Sequence, residues 1–351
     1  INCSESELTI TFSPIIKLTY EEYPMRAAVI TEPGGPDVLK VMEVDDPVPG
    51  PEDILVDVKA SALNRADMNQ RQGNYPAPFG SPSDIPGLEF AGVVLQVGER
   101  VQDIKEGDRV FGLLGGGGYA NRTVTHHRMA VKMPVDWDFI QAAATPEVYY
   151  TAYDALFNRA NLQMGESVLV HAAGSGVGTA AVQLAHHAGA FVFGTAGSDE
   201  KLSRASDLGM NVGINYHDQD FSGVIKELTS GSGVDVVIDF IGEPYWDKNI
   251  ASMAVLGRLV EVGLMGGSKV DVDLRPLMAK RIQVCGTGLR GRSLEEKLGV
   301  TAQFKRHVLP HLSSGSMKPI VDRTFQLDEV ADAHRYMETN ANFGKIVLII
   351  D

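Results

Sequence analysis

Two rhythms of apolar and polar residues run along this chain. Over residues 25–147, short apolar or alternating runs such as AAVITE, DILVDVKASAL and FAGVVLQVG are separated by PGGP, PVPGP and similar punctuation. That pattern predicts β-strands joined by turns. Over residues 148–314, strands expected at 168–172, 191–195, 234–240 and 259–263 alternate with helices expected at 179–188, 199–208, 223–229 and 245–254. Gly209 and Gly257 follow two of these helices as stops. Strands alternating with helices predict a parallel, doubly wound α/β sheet. Beyond residue 314 the pattern is β-like again, PIVDRTF and KIVLII, around a helix expected over 327–338. Residues 25–147 and 315–351 are therefore expected to share one β-rich domain, with 148–314 inserted as a dinucleotide-type domain.

The sharpest local signal is SVLVHAAGSGVG, residues 167–178, where an apolar run breaks into a glycine corner and continues as the helical TAAVQLAHHAG. Strand, tight turn and helix present free backbone N–H groups to a phosphate, and the helix dipole adds to the attraction. Glycine is needed because a Cβ blocks the turn or the approach of a pyrophosphate. The corner assigns the amides of Ser175, Gly176 and Val177 to the pyrophosphate beside Gly174, with the Ser175 hydroxyl as a further donor. Spaced as G-x-G-x-x-G, Gly174 and Gly176 are followed by Thr179 rather than glycine. Where the adenosine ribose carries a free 2′-OH, the second strand of such a fold ends in a carboxylate. Here GTAGS, residues 194–198, contains none. Ser198 and Lys201 suit a 2′-phosphate instead, which favours NADPH over NADH. Asp199 and Glu200 stand beside this pocket; at a helix start they complement the dipole and face water, whereas turned inward they would repel NADPH.

Composition narrows the partners. The 351 residues suggest two domains, and no apolar run approaches the roughly 18 residues of a membrane span. A net charge of −14 argues against nucleic acid as a partner. Two cysteines, Cys3 and Cys285, exclude a disulfide framework and a multi-cysteine zinc site, and fit a reducing, cytoplasmic compartment. Residues 1–24 lack the features of a signal peptide and are expected to be an extension without catalytic consequence.

SALNRAD, IPGLEFAGVV, VGERVQDIKEGDRVFGL, QAAATPEVYYTAYDAL, the glycine corner and NFGKIVL stand in the order found in medium-chain dehydrogenases/reductases. The chain resembles that superfamily over residues 25–350. Within it, ALNRADMNQRQGNYP, GSGVGTAAVQLA, TAGSDEKL and LMGG resemble the zinc-independent quinone oxidoreductases, the tumour-suppressor-induced branch more than the zeta-crystallin branch. The resemblance implies a GroES-like β domain packed on a Rossmann domain, NADPH in the cleft between them, and direct hydride transfer to a quinone, ortho-quinones above others. It also implies site residues. Thr151 would lie near the nicotinamide, Gly263 and Met265 beside its ribose, Leu289 after the next strand, Asn342 closing from the last segment, and Tyr216 completing the 2′-phosphate pocket. As the catalytic pair, the Asn64 amide would donate to a carbonyl oxygen or orient the nicotinamide ribose, and the Tyr75 phenol would donate a hydrogen bond or a proton, with Asp67 a structural acceptor.

The zinc-binding relatives place their ligands at positions that match Asn64, Leu88 with Glu89, and Glu147, so no metal is expected: leucine cannot coordinate and both thiolates are gone. The adjacent pairs His126–His127 and His186–His187 are poor chelates and are expected at the surface. RIQVCGTGL resembles the edge strand through which the family forms homodimers or dimers of dimers. Two other readings stay open: reduction of activated C=C bonds in enones, enals or enoyl thioesters, and a non-enzymatic NADPH- or RNA-binding role.

Overall fold

The computed structural model describes residues 24–351, so the expected extension lies outside the described residues save for Pro24. The first part of the chain forms β1 (Met25–Ile30), β2 (Leu39–Val44), β3 (Asp53–Ala62), α1 (Arg65–Arg71), β4 (Glu89–Val97), β5 (Arg109–Leu113), β6 (Arg122–His126), β7 (Ala130–Lys132) and α2 (Phe139–Ala143). The middle follows as α3 (Pro146–Tyr153), β8 (Ser167–Val170), α4 (Gly176–His187), β9 (Phe191–Ala196), α5 (Asp199–Ser206), β10 (Val212–Asn215) and α6 (Phe221–Leu228). It continues as β11 (Val234–Asp239), α7 (Trp246–Ser252), β12 (Met253–Glu261), α8 (Leu274–Lys280), β13 (Gln283–Gly286), α9 (Leu294–His307) and α10 (Leu309–Ser313). The chain closes with β14 (Val321–Gln326), α11 (Val330–Glu338) and β15 (Lys345–Ile349).

The middle strands pair in the order β10-β9-β8-β11-β12-β13, all parallel. Counted within this sheet the order is 3-2-1-4-5-6, that of a Rossmann dinucleotide fold. The outer segments form a GroES-like seven-stranded sheet, β14-β15-β3-β4-β5-β7 with β6 on β3. The late strand β15 enters this sheet between β14 and β3, antiparallel to β3 with Val347 opposite Ala62. One apolar core runs under both sheets: Ala62, Phe111 and Val131 from the GroES-like sheet share it with Val170 and Val260 of the Rossmann sheet, Val182 of α4 and Phe304 of α9. Among the described residues no helix is long and apolar enough to cross a membrane.

One expected helix is corrected. Residues 245–254 are only partly helical: α7 stops at Ser252, and β12 begins at Met253, which pairs with the buried Val234. Gly257 is no helix stop but lies inside β12, next to Leu256 at φ +66°. The apolar run MAVL fits a helix or a strand equally well, and the ladder with β11 decides it.

Candidate active site

The candidate cofactor residues gather at the carboxyl ends of the parallel strands, where an open α/β sheet binds its ligand. The corner after β8 carries Gly174 and Ser175, and α4 starts at Gly176. Ser175 caps that helix, its Oγ accepting from Gly178 N (3.0 Å), so its hydroxyl proton remains to be donated. Its backbone N–H, expected at the pyrophosphate, instead closes the turn onto Ala172 O (2.8 Å). The first-turn amides of Gly176 and Val177 have no carbonyl within the helix to bond. Close helix–strand packing falls to Gly178 rather than to position 179: a Cβ there would stand 2.2 Å from Ala172 O.

After β9, Ser198 caps α5 by accepting from Lys201 N (3.3 Å). The Lys201 stem passes over Gly174, and its ammonium donates to Asn340 O. Tyr216 follows β10, its hydroxyl against Gly197. The two nearby carboxylates do not crowd this pocket: Asp199 accepts from Asn215 Nδ2 (3.1 Å), and Glu200 is 81% exposed beside Arg204. Gly263 and Met265 follow β12 with their amides on Asp239 O and Phe240 O, and Leu289 is buried in the core after β13. The segment carrying Asn342 lies along the glycine corner: Gly344 N donates to Gly174 O (2.9 Å), and Asn342 Nδ2 to Gly344 O (2.8 Å).

The floor between the two sheets is a buried polar network. Lys345, only 3% exposed, directs Nζ to Leu63 O (2.6 Å), Asn64 Oδ1 (2.7 Å) and Glu89 Oε1 (2.8 Å). Asn64 Nδ2 donates to Glu89 Oε1 (2.9 Å), and Glu89 Oε2 accepts the backbone N–H of Glu147 (2.9 Å) at the start of α3. Asp67, fully buried, accepts from Asn64 N (2.7 Å), Gly87 N (3.1 Å) and Tyr119 OH (2.9 Å). Burial pushes its carboxyl up to about 6 against those three donors. Glu147 is partly accessible, with a long 3.5 Å contact from Thr151 Oγ1. Burial and the neighbouring Glu89 push its carboxyl up to about 8.

The floor does not fit a zinc ion. Leu88 has no donor atom, Asn64 Oδ1 and Glu89 Oε1 are taken by the Lys345 ammonium, and Glu89 Oε2 by the Glu147 amide. Of the histidine pairs, His126 and His127 stack on each other, and His186 and His187 are exposed.

The remaining wall joins the two halves. Arg290, 5% exposed, reaches from the loop after β13 to Gly115 O, Tyr75 O and Gln70 Oε1. Its guanidinium stands 5.1 Å over the Tyr75 ring and has no carboxylate partner among the described residues. Tyr75 is 38% exposed, and partial burial raises its phenol above the ordinary value, so it stays protonated.

The expectation of a free amide on Asn64 is therefore corrected: both ends of its side chain are bonded within the floor, and it positions rather than donates. Asp67 has the structural role expected of it. Lys345 and Arg290 are the two residues of this site that the sequence reading passes over. A lysine heading the apolar run KIVLII was a readable signal, because a charge in a buried strand needs a partner. Arg290, in a loop without pattern, gave none.

Comparison with known proteins agrees with this geometry. Residues 50–135 match the alcohol dehydrogenase GroES-like domain, and residues 176–303 match the zinc-binding dehydrogenase family. The quinone oxidoreductase of Homo sapiens is 32% identical over 329 residues, covering 93% of this chain and 98% of that protein. Among solved structures, the CurK enoyl reductase superposes with a TM-score of 0.84 at 30% identity, over 94% of this chain and all of that one. The mycobacterial Rv1454c, solved with NADPH, superposes with a TM-score of 0.82 at 29% identity, over 92% of this chain and 99% of that one. The chain belongs to the medium-chain dehydrogenase/reductase superfamily, among the relatives of the quinone oxidoreductases. It is an oxidoreductase of that superfamily, and its Rossmann sheet serves a nicotinamide cofactor.

Proposed function

We propose that the protein is an NADPH-dependent quinone oxidoreductase that works without a metal. The observation that carries this reading is the pair formed by Arg290 and Tyr75. A buried guanidinium without a carboxylate and a protonated phenol border the cleft that the carboxyl edge of the Rossmann sheet opens into. When bound, the reduced nicotinamide supplies a hydride. The electron pair displaced in the acceptor then gathers on an oxygen, and fixed donors in a dry site stabilise that charge best. Arg290 and Tyr75 offer it a charge and a hydrogen bond, while Lys345, Asn64 and Glu89 hold the floor rigid. Thr151, Gly263, Met265 and Leu289 line the nicotinamide side, and Asn342 closes over the corner. Reduction of an activated C=C bond is the second reading, because an enolate oxygen makes the same demand and the CurK enoyl reductase shares the fold.

The 2′-phosphate is assigned to Ser198, Lys201 and Tyr216, supported by a pocket whose two nearby carboxylates are bonded elsewhere or solvated. Replacing Lys201 by Ala removes a charged hydrogen bond worth about 1.5–3 kcal/mol. That is roughly a 10- to 150-fold loss of NADPH affinity, with NADH little changed. Fluorescence titration of both nucleotides checks it, and equal losses would show that Lys201 only holds Asn340. A panel of quinones, enones and enoyl thioesters, each with NADPH and NADH, decides between the two acceptor classes.

A further inference from the structure

The mechanism above leaves one ionisable group of the cleft unused. Two buried acids, Asp67 and Glu89, share the floor with two buried cations, Lys345 and Arg290. Each acid is well satisfied. Asp67 accepts three donors, and Glu89 accepts from Lys345, Asn64 and the Glu147 amide. Glu147 is a third carboxyl beside this balanced set, and among the described residues its side chain receives only the 3.5 Å contact from Thr151. Asp67 on α1, Glu89 on β4, Lys345 on β15, Arg290 after β13 and Lys297 on α9 all act on its charge, and it in turn acts on Tyr75. Lys297 is partly solvated and makes no ion pair with it among the described residues.

A carboxylate so placed meets a like charge and almost no donors, whereas a neutral carboxylic acid needs neither. Of the three acids, Glu147 alone keeps accessible surface: Asp67 and Glu89 are fully buried, and Glu147 is not. We infer that Glu147 is the proton donor of the reaction, carrying on its carboxyl the proton that goes to the reduced substrate's oxygen. The inference rests on the reductase reading above. In the step, two electrons arrive with the hydride that the bound cofactor supplies. The O–H bond of the Glu147 acid breaks, an O–H bond forms on the substrate oxygen, and Glu147 is left as carboxylate until solvent returns a proton. Tyr75 is then a hydrogen-bond donor that orients the oxygen, not the proton source. The elevation of the Glu147 carboxyl to about 8 agrees with a proton held at neutral pH.

Glu147→Gln tests it, because the amide copies the shape of the neutral acid and leaves the floor intact. The first measurement is infrared titration of the full chain without substrate. Glu261, raised to about 7, and Asp67, raised to about 6, give acid C=O intensity in both proteins, so the reading is the wild-type-minus-Glu147→Gln difference. An acid C=O band present at pH 7 and lost on titration through about pH 8 is expected in it. The second is single-turnover reduction of whichever acceptor the panel selects. The wild-type rate should fall as pH rises through about 8. Glu147→Gln should be slower by about 10²–10⁴-fold and flat across that range, with cofactor affinity unchanged. Tyr75→Phe should keep the limb. A difference spectrum with no acid C=O band at pH 7, or a pH limb retained in Glu147→Gln, overturns the inference. If no acceptor is reduced at all, the reductase reading fails, while the infrared comparison still decides whether Glu147 carries the proton.

Discussion

Lys345 shows how a single residue organises this site. Its ammonium binds three oxygens from three positions of the first sheet and its following turn, in a volume closed to water. Removing one member of such a set leaves the others charged or unsatisfied, which costs about 3–5 kcal/mol. Lys345→Met should therefore lower stability by that order in urea unfolding, and adding Glu89→Gln should restore much of it. A single mutant as stable as the wild type would mean that water reaches the floor. At this scale the sequence was half legible. Leu88 and the missing thiolates could be read because zinc chemistry admits few side chains. What replaces a metal could not, since the three oxygens around Lys345 lie far from it along the chain and meet only through the sheet.

Among the elements, the turn after β13 is pinned by the π-helix at Asp154–Arg159 that follows α3. Asp154 accepts from Arg292 through both carboxylate oxygens (3.0 and 2.6 Å) and from Thr287 and Asn158, and Arg290 stands two residues before Arg292. Burial opposes its ionisation, but those hydrogen bonds outweigh it and hold the carboxyl at about 2. A carboxyl lower in the folded than in the unfolded chain lends stability that is full above the unfolded value and is lost as pH falls through the folded one. The contribution, about 2 kcal/mol, should fade between roughly pH 4 and pH 2 in acid unfolding, and Asp154→Asn should flatten that limb. An unchanged acid limb in the variant would remove Asp154 from the account. Element types and order were mostly legible, because periods of two and of 3.6 leave distinct traces. The exception, 245–254, combines an apolar run with a glycine, where tertiary pairing overrides local preference.

For the whole molecule, the β13 edge of the Rossmann sheet, opposite the β10 edge, has no partner strand among the described residues. β13 ends the sheet and is largely exposed, and Leu274, Met278 and Val284 leave apolar surface beside it. An unpaired strand flanked by such residues is suited to pair with a second copy through the same surface. Sedimentation at micromolar concentration is expected to show a dimer or a dimer of dimers, and Val284→Lys with Met278→Lys should shift it to monomer. A wild-type monomer would refute the assignment. RIQVCGTGL reads as a strand from its own pattern, but its edge position was legible only through the family resemblance, because an edge and a central strand carry similar apolar runs.

The place of β15 bears on how the molecule is made. Because this strand lies between β14 and β3, the sheet that β3 begins stays open until residues 345–349 have been synthesised, after every strand of the Rossmann sheet. Residues 53–57 of β3 are covered early by β6, but at about 5–20 residues per second the Ala60–Ala62 end waits on the order of tens of seconds for β15, while the Rossmann strands between can assemble alone. The sheet begun before the Rossmann sheet is thus completed after it, and its nascent chain is a natural client for a chaperone that shields strand edges.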